Sequence, residues 1–409
     1  MLAFTFPGQG SQRPAMGVAW QGHAAWHRVE EASSATGIDV EHLLLRANAD
    51  ELTQTQNAQL ATFVVSIMAF DTAVEAGLAK AELMAGHSLG EYSALVAAGI
   101  LSFADGCKLV GIRGAAMKAA ADQNPGTMYA VLGLDDIKVE AACRQASAEF
   151  DGVGAYVANY NSDGQVVISG GQKQLERAGE IAKEMGAKRS VPLPVGGAFH
   201  TPHMAPAQNA LREALASTNF SDSTVRVVSN FDAAPHDGGE QWRELCAQQL
   251  CNPVRWSQSV AAMSAEGATV FAELGPGNVL TNLAKRNAPS AVAVAIAEPN
   301  TDDLASAVAD LDRATSPGDS VIDLDNSHLD GEQPALVDRV VIAHATGKFA
   351  LSNETQVGQS IKPGDAVALI DGEAVQSPFG GVLSRILAME GERVTPGQPV
   401  AWIATTEGQ

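Results

Sequence analysis

Gly86-His87-Ser88-Leu89-Gly90-Glu91 (GHSLGE) is a Gly-x-Ser-x-Gly segment, and the reading of this chain turns on it. Before it, residues 82–85 (ELMA) are short and apolar enough for a strand; after it, residues 92–98 (YSALVAA) have helical composition. A serine on a sharp strand-to-helix turn projects its hydroxyl outward at a helix N-terminus, and small flanking residues make that turn sterically possible. Ser88 is thus a candidate nucleophile. The Leu89 N–H would point at a developing oxyanion, with the positive end of the helix dipole behind it. An ordinary glycine-rich turn uses the same residue types, so the segment needs company.

Company comes from the first residues. Phe4-Thr5-Phe6-Pro7-Gly8-Gln9-Gly10-Ser11-Gln12 is an apolar strand running into FPGQGSQ, a tight loop around Gln9. Such a loop can supply a second oxyanion N–H, or it can be a plain βα turn. With no GxGxxG and no Walker lysine, nucleotide binding is not expected. FPGQGSQ followed some eighty residues later by GHSLGEYSAL resembles the malonyl-CoA:acyl carrier protein transacylases of fatty acid and polyketide synthesis.

Further segments are similar to that family in the same order. Residues 111–117 (GIRGAAM) resemble its RG-x-x-M segment, whose arginine, here Arg113, pairs with the malonyl carboxylate. Residues 159–170 (NYNSDGQVVISG) resemble its Asn-rich loop and strand, where Asn161 is the substrate-binding candidate. Residues 197–204 (GAFHTPHM) resemble its GAFHSPLM segment, which places the catalytic histidine at His200. Residues 249–256 (QLCNPVRW) and 273–280 (ELGPGNVL) complete a resemblance covering about residues 1–300.

The chemistry needs these residue types. Acyl transfer between two thiols requires an activated nucleophile, an oxyanion hole and a group that recognises the acid end of the acyl chain. Ser88 is the nucleophile, and His200 serves as general base and then general acid. Gln9 and Leu89 are the expected oxyanion donors. The resemblance implies a Ser-His dyad whose histidine is oriented by a backbone carbonyl, placed at Gln249, rather than by a carboxylate. Arg113 offers a planar fork for a carboxylate, and a buried guanidinium without a partner is costly, so malonyl satisfies it where acetyl does not. By resemblance, Phe199 and Leu89 accompany malonyl-specific enzymes. An aromatic at 199 would crowd an α-methyl group, a preference worth ~1–3 kcal/mol. His87 reads as a packing residue. His203 stands where the family usually has leucine and reads as a loop residue.

Composition bounds the rest. The chain has 409 residues, a net charge of −21 and four cysteines without disulfide or zinc spacing. A reducing, cytoplasmic setting is expected, with no signal peptide and no metal. The apolar run over residues 60–70 is ended by Asp71 and is too short for a bilayer, so no membrane partner is expected. The charge argues against nucleic acid. Because carrier proteins are themselves acidic, a local basic patch is expected, with Lys183, Lys188, Arg189, Arg255, Lys285 and Arg286 as candidates; scattered solvated charges are the alternative. Residues 301–409 hold 17 acidic side chains against 6 basic ones.

The expected architecture is α/β: a hydrolase-like parallel-sheet domain over residues 1–125 and 197–315, with an inserted ferredoxin-like subdomain over 126–196. A last helix is expected at 302–313 and a linker at 316–334. The tail, residues 335–409, has turn signals at Lys362-Pro363-Gly364-Asp365, Phe379-Gly380-Gly381 and Thr395-Pro396-Gly397-Gln398. It resembles a biotinyl/lipoyl-type barrel-sandwich domain. Those domains carry their cofactor on a hairpin lysine; the hairpin here would be Asp371-Gly372-Glu373-Ala374-Val375, and the tail's only lysines are Lys348 and Lys362. Neither biotin nor lipoyl attachment is expected, which leaves carrier docking, subunit docking or dimerisation.

The expected function is transfer of malonyl from malonyl-CoA to the phosphopantetheine thiol of a carrier protein through a malonyl-Ser88 intermediate, with no bound cofactor. Alternatives are a malonate-decarboxylase-type malonyl transferase, a serine hydrolase or thioesterase, in which Arg113 has no purpose, and a non-catalytic scaffold.

Overall fold

In a computed structural model the chain divides into two compact units, Met1–Gly318 and Asp319–Gln409. The structure describes residues 1–78, 81–150, 154–299, 336–342, 345–351, 359–377, 380–386, 391, 393–394 and 399–406. The helix expected at 302–313, the linker and the turn at 395–398 lie outside them.

The described residues of the first unit include ten strands: β1 (Leu2–Phe6), β2 (Leu83–Gly86), β3 (Thr127–Leu132), β4 (Ala155–Ser162), β5 (Gln165–Gly170), β6 (Arg189–Pro192), β7 (Arg226–Val228), β8 (Pro235–His236), β9 (Val270–Leu274) and β10 (Val292–Ile296). Six of them form one sheet in the order β10-β9-β1-β2-β7-β8, parallel except for β8. Every residue of β1, β2 and β9 is buried, including the polar Thr5 and Glu273, as in a sheet covered on both faces. Alternation sorts their side chains into two cores. Phe4, Phe6, Met84 and Val227 join a large cluster with the Thr55–Glu75 helix. Ala3, Leu83, Ala85 and Val228 join a smaller one with Trp256, Val260 and Leu283.

The Thr55–Glu75 helix contains the apolar run over residues 60–70 and continues past Asp71, whose carboxylate accepts from Arg28 Nε at 2.8 Å. By length and composition it could cross a bilayer, but most of it is buried inside the protein.

Residues 127–192 form a separate antiparallel sheet, order β4-β5-β3-β6, in a β-α-β-β-α-β sequence. The Asp136–Ala148 and Gln172–Glu184 helices cover one face through Val139, Ala142, Leu175 and Ile181. The other face presents Met128, Ala158 and Val167 to the large cluster. The stretch from Asn159, read as an asparagine-rich loop, is strand β4 as far as Ser162. Its free edge is held by the Val254 backbone: Tyr160 N–H donates to Val254 O at 2.9 Å, and Val254 N–H to Ala158 O at 2.8 Å.

In the second unit, the described residues include eight strands: β11 (Leu336–Ile342), β12 (Gly347–Ala350), β13 (Ser360–Ile361), β14 (Ala366–Ile370), β15 (Glu373–Gln376), β16 (Gly381–Ile386), β17 (Arg393–Val394) and β18 (Pro399–Thr406). They make two four-stranded sheets, β11-β18-β16-β13 and β15-β14-β12-β17, around Phe349, Ile361, Val367, Leu383 and Ile403. A two-residue turn, Asp371-Gly372, joins β14 to β15.

Candidate active site

The parallel sheet delivers its chemistry at the C-terminal ends of β1 and β2. Strand β2 stops at Gly86, and the helix Gly90–Ala97 begins within four residues. A Cβ on Gly86 would lie 1.8 Å from the Gly90 carbonyl carbon, and one on Gly90 2.0 Å from the Phe6 oxygen, so the turn closes only with glycine at both. Between them Ser88 adopts φ +54°, a left-handed conformation that serine rarely takes.

His200 Nε2 is 2.7 Å from Ser88 Oγ, and His200 Nδ1 is 2.9 Å from the Gln249 backbone oxygen. That carbonyl can only accept, so Nδ1 carries the proton and Nε2 is left as the acceptor facing the serine. Burial, reinforced by the neighbouring Arg113 charge, lowers the His200 pKa to about 3. The imidazole is therefore neutral and free to take the Ser88 proton over the ordinary pH range.

Arg113 lies on the Phe103–Gln123 helix and is wholly buried. One terminal nitrogen, Nη1, donates to Gln59 Oε1 at 2.7 Å. The other, Nη2, donates to Ser88 Oγ at 3.1 Å and Gln249 Oε1 at 2.9 Å. Burial works against its charge. An acid arriving beside Ser88 meets a guanidinium already aimed at it. Among the described residues, the N–H groups of Gln9 and Leu89 donate to no protein acceptor, whereas Ser88 N–H is taken by Asn230 Oδ1 at 2.7 Å.

A cavity of about 280 Å³ opens over this cluster. Gln9, Ser88, Phe199 and His200 line it, with Asn161 and Val167 from the smaller sheet forming its roof. Asn161 Oδ1 lies 2.8 Å from His87 Nε2, and its carbonyl accepts from Asn287 Nδ2 at 2.8 Å. His87 packs its ring at 5.6 Å from that of Trp256, and burial lowers its pKa. His203 does not line the cavity; its ring sits against Tyr156 on β4. Among the described residues no group of three or more His, Cys, Asp or Glu is placed to hold a metal.

These neighbours can be weighed against known proteins. Residues 3–318 match the acyl transferase domain family. The malonyl CoA-acyl carrier protein transacylase of Escherichia coli (strain K12) is 42% identical over 303 residues, covering 73% of this chain and 96% of the relative. A crystal structure of an acyl-carrier-protein S-malonyltransferase from Burkholderia pseudomallei 1710b superposes with a TM-score of 0.72 at 40% identity, over 75% of this chain and 99% of that one. This chain belongs to the malonyl-CoA:acyl carrier protein transacylase family. A further solved relative, a malonyl-transacylase in complex with a type II polyketide synthase acyl carrier protein, is 36% identical with a TM-score of 0.71, over 76% of this chain and 99% of that one. The match to the acyl transferase domain family ends at residue 318, before the first described strand of the second unit.

Set against the sequence reading, the structure gathers Gln9, Ser88, Asn161, Phe199 and His200 along one cavity, with Arg113 and Gln249 buried behind it and hydrogen-bonded to Ser88 and His200. Leu89 contributes its backbone only, its side chain being buried. Three residues escaped that reading. Asn230 sits just after β7 with no motif around it. Glu91 was quoted in GHSLGE without a task. Gln59, which holds Arg113, is the buried one of three amides at the start of its helix, beside Gln56 and Asn57, and residue type alone does not single it out. The six candidate basic residues are all exposed, and none is ion-paired among the described residues. Three of them converge: Leu132 pairs with Arg189 on one side and Gln165 on the other, Lys188 N–H donates to Leu132 O, and Arg286 Nη1 donates to Gln165 Oε1. Gln165 lines the cavity.

Proposed function

We infer that this enzyme moves a malonyl group from malonyl-CoA to the phosphopantetheine thiol of an acyl carrier protein, for fatty acid or polyketide synthesis, through a malonyl ester of Ser88. The observation that carries the covalent step is the 2.7 Å contact between Ser88 Oγ and a neutral, carbonyl-oriented His200. His200 Nε2 takes the hydroxyl proton as Oγ attacks the thioester carbonyl. The Gln9 and Leu89 N–H groups hold the oxyanion. The tetrahedral intermediate collapses, the CoA thiolate leaves with the proton from His200, and the ester remains. The carrier thiol then gives its proton to His200, attacks the ester and regenerates Ser88. As the ester forms, Oγ no longer needs the Arg113 Nη2 proton, and the malonyl carboxylate takes the guanidinium as its partner. Phe199 narrows the space beside the α-carbon, and Asn161 offers its amide from the roof to the incoming thioester arm.

Lys188, Arg189 and Arg286 beside the cavity suit an acidic carrier, although the chain as a whole carries −21. We read residues 1–125 and 197–315 as the catalytic domain, 126–196 as a ferredoxin-like insert and 316–334 as a linker. We read the second unit as a biotinyl/lipoyl-type barrel-sandwich domain: two small sheets enclose one apolar core, and the attachment hairpin is reduced to Asp371-Gly372 with no lysine. It carries no cofactor in this reading and serves docking or dimerisation. Four unpaired cysteines suit a cytoplasmic enzyme.

Intact-mass measurement tests the reaction. Mixing with malonyl-CoA should add one malonyl group to the wild type and none to Ser88→Ala, and adding holo carrier protein should discharge it onto the carrier. Release to water with carrier present would point to a hydrolase instead.

A further inference from the structure

Glu91 closes the GHSLGE segment, and the reaction above gives it no task. Its side chain is wholly buried at the start of the Gly90–Ala97 helix. Oε1 accepts from the Asn230 backbone N–H at 2.6 Å, and Oε2 from Gln249 Nε2 at 2.7 Å. Both partners hold reacting parts. Asn230 Oδ1 accepts from Ser88 N–H at 2.7 Å while its Nδ2 donates to the Gly86 carbonyl at 2.7 Å, gripping the elbow on each side of His87. Gln249 Oε1 accepts from Arg113, and its Nε2 also donates to the Ser88 carbonyl at 2.7 Å.

What faces each end of the Gln249 amide decides which way round it sits. Toward Oε1 stands Arg113, which can only donate; toward Nε2 stand the Glu91 carboxyl and the Ser88 carbonyl, which accept. Turning the amide over would set N–H against guanidinium and oxygen against two acceptors, leaving buried groups unpaired. A carboxylate at 91 forbids that inversion. A glutamine of the same shape would not, because its own amide can offer either end. Burial pushes the Glu91 pKa up to about 8, opposed by the Asn230 N–H and the Arg113 charge. Against that shift, both hydrogen-bond partners donate to its two oxygens, the arrangement of an ionised carboxylate.

We propose that Glu91 is a positioning residue for acid selection: through the Gln249 amide it keeps Arg113 aimed at the malonyl carboxylate, and through Asn230 it fixes the elbow across which Arg113 points. The inference rests on the reading of Arg113 as the partner of that carboxylate.

The test uses the full-length chain with Glu91→Gln, Gln249→Met and Arg113→Ala, measuring kcat/KM for loading malonyl-CoA and acetyl-CoA beside the melting temperature. Gln249→Met severs the relay but keeps the backbone carbonyl that orients His200. Glu91→Gln should lower malonyl loading roughly ten- to hundredfold, the scale of a hydrogen bond to a charged group. Acetyl loading should fall by about threefold at most, since it needs only the elbow. Gln249→Met should lower the malonyl-to-acetyl ratio by a similar factor, and the double variant should lower it no further. Equal losses for both donors, or no loss, in folded single variants overturn the proposal. Should Glu91→Gln fail to fold, Gln249→Met decides it alone. If Arg113→Ala keeps the malonyl preference, the reading of Arg113 falls. If Arg113→Ala loses that preference while the other two retain it, only the role of Glu91 falls.

Discussion

Of the five non-glycine residues in left-handed backbone among those described, Asp371 in the second unit and the pair Ser88 and His200 in the first are there for opposite reasons. In the second unit Asp371 has φ +48° and Gly372 φ +88°, a two-residue hairpin turn whose residue types suit its dihedrals. In the first unit Ser88 at φ +54° and His200 at φ +58° hold the same conformation against their preference. The Asp-Gly turn is a local matter, readable from two letters. At Ser88 the conformation is imposed by a strand end with no room for Cβ atoms at Gly86 and Gly90, and by the Asn230 bonds to either side. Ala15 and Ala233 are also left-handed without carrying a reactive group, so it is the disagreement at Ser88 and His200 together with their 2.7 Å contact that marks the site.

The sharpest way to break this comparison is to remove the reactive group. Ser88→Ala should lower malonyl transfer by roughly four orders of magnitude or more, as in other serine acyl enzymes, measured by single-turnover loading. A residual rate within tenfold of wild type would mean the strained position serves no chemistry. Next comes pH. A base with an ordinary histidine pKa would lose about nine-tenths of its neutral form on going from pH 7.5 to 5.5. With His200 lowered to about 3, the neutral form persists until far more acid conditions, so the malonylation rate constant should stay flat over that interval. A tenfold fall in stopped-flow loading would show that the site does not keep His200 neutral.

A third measurement separates the cavity from the surface beside it. Arg286→Glu should raise KM for the acidic carrier about tenfold, with an effect that shrinks as salt rises, and leave loading from malonyl-CoA unchanged. Equal change in both half-reactions would place Arg286 in the substrate path. The smallest effect tests the strain itself. Ser88→Gly should raise stability by up to about 1 kcal/mol through relief of the left-handed cost, whereas Asp371→Gly should change it by a few tenths at most. Calorimetric melting compares the two, and a destabilised Ser88→Gly would contradict the contrast drawn above.

Most of the catalytic unit was legible because its signals are short-range. FPGQGSQ specifies a strand and its turn, and GHSLGE specifies strand, turn and helix start within a few residues. Strand β4 was misread because Asn159 and Asn161 disfavour strands, and what makes them one is pairing with β5 and Val254. Nothing local shows that Asp71 would pair with Arg28, 43 residues away. The convergence of Lys188, Arg189 and Arg286 likewise depends on sheet order rather than spacing.

By itself, the sequence determined the family and the absence of a lysine at the hairpin in the tail, and it singled out Ser88, His200 and Arg113 as the residues proposed for nucleophile, base and acid binding. Each is a residue type at a short fixed spacing from its own structural signal. Only the tertiary structure decided what holds them in place: Gln59 and Gln249 on Arg113, Asn230 on the elbow, and Glu91 behind Gln249 and Asn230. Those contacts join residues 54 to 158 positions apart. They exist because a buried polar atom must find a partner, and only the folded chain settles which partner is within reach.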